Sequence, residues 1–180
     1  MRTCRLSFAM NILFVLGGCR TARPEYVPTG TVRDLMDSIV DPSADFIWNS
    51  VSTILTSEGI NTKFPRTDEE WKEVRHRAIA LVEVTNLLLV PNRHVAQPGE
   101  KSANPGVERE PEEIEAMIKN DRAAFESRVD GLRRAAMTAL LAIESKDLNE
   151  LQEAAGDLDT ACENCHRVYW YGSISRTRSK

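Results

Sequence analysis

The sequence predicts an all-α fold, an antiparallel four-helix bundle. Two observations lead there. Four long segments repeat apolar residues at three- and four-residue spacing, and no stretch reads convincingly as a strand. Between the segments lie breaks rich in proline, glycine and small polar residues. The chain has 180 residues, enough for one domain once a leader and a tether are set aside.

The first helix is expected over residues 31–57. Val32, Leu35, Met36, Ile39 and Val40 fall at helical spacing, followed by Ile47, Trp48, Val51, Ile54 and Leu55. Asp41-Pro42 interrupts this run, and an internal proline removes a hydrogen bond and crowds the preceding turn. A kink is expected there, or a break with Asp41 capping a new start. The second helix begins at Thr67, where Glu70 three residues on completes a capping-box pattern. Trp71, Val74, Ala78, Leu81, Thr85 and Leu88 form its stripe, and Pro91 stops it. Residues 92–110 hold Pro98, Gly99, Pro105 and Gly106 and read as a loop, long for a bundle connection.

The third helix opens at Pro111-Glu112-Glu113, where proline and acidic residues favour a helix start. Ile114, Ile118, Phe125, Val129, Leu132, Ala136, Ala139 and Ile143 mark its buried face to about Lys146. The fourth starts at Asp147. Leu148, Leu151, Ala155, Leu158, Cys162, Cys165 and Tyr169 make a seam with a seven-residue repeat, facing a partner helix.

On that seam stands Cys162-Glu163-Asn164-Cys165-His166. C-x-x-C-H is the attachment signature of a c-type haem: two thiols three residues apart each add to one vinyl group, and the adjacent imidazole becomes the proximal iron ligand. A thioredoxin-type pair would need a strand–helix–strand setting that this sequence lacks. A zinc site would need a fourth ligand, and His76 and His94 have no cysteine or carboxylate cluster at ligand spacing. One haem c is therefore expected, held by Cys162, Cys165 and His166 against the bundle interior.

The other end of the chain agrees with this. Arg2 and Arg5 precede the apolar run 6–16, too short to span a bilayer and typical of a secretory signal. The run ends Leu16-Gly17-Gly18-Cys19, which resembles the lipobox of bacterial lipoproteins. The resemblance implies a signal over 1–18, an acylated Cys19, and a polar tether over 19–30 carrying Pro24 and Pro28. It implies a membrane anchor in the bacterial periplasm, and Arg20 after Cys19 points to the outer membrane. The cytochrome domain is then expected over 31–175, with a basic tail over 176–180. Cys4 leaves with the signal, so the remaining three of the four cysteines all have an assigned role and no disulfide is required.

Losing Arg2 and Arg5 leaves 21 basic against 27 acidic residues, a net charge of −6. An acidic surface argues against nucleic acid as a partner and favours a redox protein with a basic patch.

Four amphipathic helices with the haem motif on the last resemble the cytochrome c-prime family. The similarity is closest over residues 145–170, through Lys146-Asp147-Leu148, Gly156-Asp157-Leu158 and Ala161-Cys162-Glu163-Asn164-Cys165-His166-Arg167-Val168-Tyr169. The family often has a basic residue after that tyrosine, near a haem propionate. Here Trp170 stands there, and Arg167 is the candidate to replace it. The resemblance also implies a distal residue from the first helix. Methionine there gives a six-coordinate electron carrier, and an apolar residue gives five-coordinate iron that binds nitric oxide or carbon monoxide. Met36 is the expected second ligand, with Leu35 beside it as the alternative distal wall. Members often pair through their first two helices, so a homodimer belongs to the same expectation. Peroxidase-like catalysis would want a distal acid–base group, and no histidine lies on the first helix. Electron transfer rather than enzymatic turnover is expected.

Overall fold

The computed structural model describes residues 26–57 and 59–172, without the side chains of residues 54–56. The structure is 67 % helical, and among the described residues the only sheet is one two-stranded hairpin, compatible with the expected all-α class. The signal 1–18, Cys19 and the tail 176–180 lie outside the described residues.

Thr31 starts the first helix. Its hydroxyl accepts from the Asp34 N–H at 3.1 Å, and the Asp34 carboxylate accepts from the Thr31 N–H at 2.8 Å. This capping box opens α1 (Val32–Leu35). Two further orphan donors, the N–H groups of Val32 and Arg33, bond to the carbonyls of His94 and Val95 at 2.9 and 3.0 Å. The loop after the second long helix thus pins the start of α1.

The break expected at Asp41-Pro42 does not occur. A π-helical turn, Met36–Val40, runs directly into α2 (Asp41–Ser50), and the Asp41 N–H bonds back to the Met36 carbonyl five residues earlier. Asp41 caps nothing. Pro42 has no N–H to give, and its ring would press on the carbonyl four residues back in a regular helix. The widened turn accommodates both. It also changes which side chains share a face. In an α-helix, residues five apart point about 140° away from each other, yet Leu35 and Val40 are both buried in one core.

The helix expected to reach residue 57 ends at Ser50. In its place an antiparallel hairpin pairs β1 (Ser52–Thr56) with β2 (Gly59–Lys63), with Ser52 opposite Lys63 and Thr56 opposite Gly59. Gly59 sits at φ 129°, a value that favours glycine. The expectation of no strand is corrected here.

The Thr67–Glu70 capping box opens α3 (Asp68–Leu88) as expected. The predicted third helix is two helices, α4 (Pro111–Asn120) and α5 (Arg122–Ser145). Asp121 leaves helical geometry, and its carboxylate caps α5 through the Ala124 N–H at 2.9 Å. Lys146, at φ 55°, closes α5, and Asp147 caps α6 (Leu148–Tyr169) through the N–H groups of Asn149 and Glu150 at 2.9 and 3.0 Å.

Helix α5 lies along both α3 and α6, and α2 packs on α3 and touches α6. Ala135, Ala136, Ala139 and Ala142 of α5 meet Ala154 and Ala155 of α6 in the same core, where small side chains allow close approach. Ile47, Leu81, Leu151 and Leu158 are wholly buried between the helices. Burying each contributes roughly 1.5–3 kcal/mol. Among the described residues, no helix is long and apolar enough to cross a membrane.

Candidate functional site

Cys162, Cys165 and His166 occupy one turn of α6 near its C-terminal end. They line a cavity of about 160 Å³ whose other walls come from distant parts of the chain. Met36 and Val40 enter from the π turn, Ala44 and Trp48 from α2, Leu88 from α3, and Phe125, Val129 and Leu132 from α5. The rim carries Asp41, Arg128, Asp159 and Glu163. The fold therefore gathers two thiols, an imidazole and a thioether around one largely apolar space.

Both cysteines are free and half-buried. Burial pushes the Cys162 thiol up to about 11, and the carboxylates of Asp41, Asp159 and Glu163 add to the effect. Burial pushes Cys165 to about 11 as well, with the Arg128 guanidinium opposing. These are protonated thiols at neutral pH. A redox-active C-x-x-C pair needs the reverse, a thiol lowered by positive surroundings. Burial also raises the Asp41 carboxyl above its usual range, partly offset by the positive charge His166 can carry; Asp37 and Asp45 push it further up.

The His166 ring has aromatic company. Its centroid is 6.3 Å from both Trp170 and Tyr171, and Arg33 lies over the Trp170 ring at 5.7 Å. The first helix and the end of the last are therefore in contact beside the motif.

Other residues singled out in the sequence fall away from the cavity. Leu35 is 7 % exposed and packs in the core, outside the cavity walls. Tyr169 is buried edge-on against Phe125, with centroids 5.7 Å apart, and supports the wall without forming it. Arg167 is 70 % exposed and faces Glu163 at 3.6 Å. It is not among the lining residues, and Arg128 is the cation that is. His94 bonds to Glu115 at 3.2 Å on the surface, and His76 lies 3.7 Å from Glu73. Trp71 is a core residue, whereas Trp48 lines the cavity. Arg128 and Asp41 carry no sequence signal for this place. Each is a charged residue beside a core position, Val129 and Val40, and only the tertiary fold brings them to the rim.

A larger, open cleft of about 650 Å³ lies between α2, the end of β2 and the start of α3, under Phe46 and Phe64. Size alone would favour it as a ligand site. It holds no cysteine, histidine or methionine, so the chemistry points to the smaller cavity.

The donor set of that smaller cavity fits a haem: two thiols to attach it, one imidazole and one thioether to hold iron. The volume is below the roughly 300–1,000 Å³ usual for ligand clefts. A macrocycle would therefore need more room than the cavity has, so its walls would have to move apart.

Comparison with protein-family models, curated proteins and solved structures returns no match for this chain.

Proposed function

We propose that this protein is a c-type cytochrome, an antiparallel four-helix bundle that carries electrons through one haem c. Cys162 and Cys165 would hold the group covalently, and His166 and Met36 would supply its two iron ligands. Cys19 anchors the protein by lipid to the periplasmic side of the bacterial outer membrane. When bound, haem c supplies a reversible one-electron iron couple, and a methionine axial ligand raises its potential.

The observation that carries this reading is the meeting of Met36 with the C-x-x-C-H residues across one cavity. Their sequence positions alone do not require it. The chain's own contributions follow from the walls. Val40, Ala44, Leu88, Phe125, Val129 and Leu132 keep water from the interior side. The caps at Asp147 and Thr31 fix where the two ligand-bearing helices start. The acidic rim at Asp41, Asp159 and Glu163 faces where a redox partner with a basic patch would approach.

The test is the absorption spectrum of the haem-loaded chain lacking residues 1–19, beside a Met36→Ala variant. Low-spin bands with a sulfur-to-iron feature that the variant loses support the reading. High-spin iron in both, binding carbon monoxide alike, would replace it with a gas-binding protein in which Met36 is packing.

A further inference from the structure

Trp48 has a contact that the proposed ligand set does not use. Its indole N–H donates to the carbonyl of Ala155 at 2.9 Å, joining α2 to α6. Among the described residues no other hydrogen bond or ion pair links the 32–50 helix to α6. The two helices approach each other over only a few residues, and this bond is one of their ties. Ala155 is seven residues before Cys162, about 10 Å along the helix axis. The same indole ring lines the cavity with Met36 and His166. At its other end the first helix is held by the bonds from Val32 and Arg33 to the 94–95 loop.

We infer that Trp48 is a positioning residue: its bond to Ala155 is the pivot that sets the gap between the Met36-bearing helix and α6, and so decides whether Met36 reaches the iron. This rests on the His166/Met36 reading above. The geometry gives the reason. Admitting the macrocycle moves the cavity walls apart, and the Trp48 tie two turns away limits how far the helices swing. With the tie intact, the thioether stays within bonding reach. With it cut, α2 swings outward, the sulfur bond weakens, and an exogenous ligand takes its place.

The experiment compares the haem-loaded chain lacking residues 1–19 with Trp48→Phe, which keeps a ring and removes the donor. Trp71→Phe serves as the control, since Trp71 is a core tryptophan that does not line the cavity. The readouts are the sulfur-to-iron band, the carbon monoxide affinity of the reduced form, and the melting temperature. Trp48→Phe is expected to lose much of the band and bind carbon monoxide roughly five- to tenfold more tightly, the shift that one net hydrogen bond gives. Trp71→Phe is expected to lower the melting temperature while leaving band and affinity unchanged. A Trp48→Phe protein with the parent's band and affinity overturns the inference, as does a Trp71→Phe protein that changes both equally. If Trp48→Phe does not fold, hydrogen exchange of the Trp48 indole N–H in the loaded parent decides. Slow exchange supports the tie, and exchange as fast as a free indole overturns it. A parent that loads haem but shows no sulfur band overturns the ligand reading first, and the pivot with it.

Discussion

Leu35 and Met36 are neighbours with opposite fates, and the π turn separates them. Leu35 points into the core beside Val40, while Met36 stays half-buried at the cavity. Truncating a buried leucine leaves a void, so Leu35→Ala is expected to cost about 2–5 kcal/mol in denaturant unfolding while the haem-loaded protein keeps its sulfur-to-iron band. Loss of the band in Leu35→Ala with stability intact would mean that the two residues have exchanged roles. The thiols make a second residue-scale prediction. Cys162 and Cys165 rise from the ordinary 9.0 to about 11 on folding, so above pH 9 the unfolded chain gives up protons that the folded chain keeps. Their contribution to stability is therefore complete below pH 9 and lost as pH rises toward 11. By pH 11 the loss amounts to about 2 kcal/mol for each thiol. Thioethers do not titrate, so melts of the haem-loaded protein should lack this alkaline loss. A haem-free protein equally stable at pH 9 and pH 11 would contradict it.

At the scale of elements, the start of α6 is the sensitive point. Asp147 satisfies two of its first N–H groups, and α6 carries all of Cys162, Cys165 and His166. Asp147→Ala is expected to lower stability by about 1 kcal/mol, measured by urea unfolding, with no change in the spectrum of the loaded protein. A spectral change would show that the cap reaches the motif some four turns away. Helix starts of this kind were legible because the capping residue stands beside the helix it opens: Thr67 with Glu70, Pro111 with its glutamates, and Asp147. What was not legible is equally local in its physics. Val51, Ile54 and Leu55 have spacings that suit a helix, and the β-branched Thr53 and Ile54 before Gly59 were outweighed by that pattern; the chain leaves the helix at Val51 and turns at Gly59. The split at Asp121 was hidden because Ile118 and Phe125 are seven apart, a spacing that continues a helical stripe across a break. Within the site, the C-x-x-C-H residues were readable because they stand together in the sequence at the spacing that haem attachment would need. The partners Arg128, Asp41 and Phe125 were not, because their proximity is set by how α2 and α5 lean on α6.

For the whole molecule, charge and tether act together. The chain without residues 1–18 carries a net −6, and three carboxylates against one guanidinium ring the cavity mouth. A tether of 12 residues from Cys19 to Gly30 reaches at most about 40 Å when extended. If Cys19 carries the proposed lipid anchor, that length would keep the domain near the membrane, and the electrostatic field would orient its acidic mouth toward a partner. Steering of this sort depends on unscreened charge, and the screening length falls from about 30 Å at 0.01 M salt to about 10 Å at 0.1 M. The second-order rate of electron exchange with a basic redox protein is therefore expected to fall roughly tenfold across that salt range, with a much smaller change for an acidic partner. Stopped-flow mixing of the reduced protein with each partner measures it. Asp159→Lys reverses one rim charge without touching a proposed iron ligand, so it should flatten the salt dependence for the basic partner and leave the sulfur-to-iron band in place. If the rate with a basic partner ignores salt, or if Asp159→Lys leaves its salt dependence unaltered, approach is not through the acidic mouth, and the exposed Phe46–Phe64 cleft on the other face of α2 becomes the surface to test.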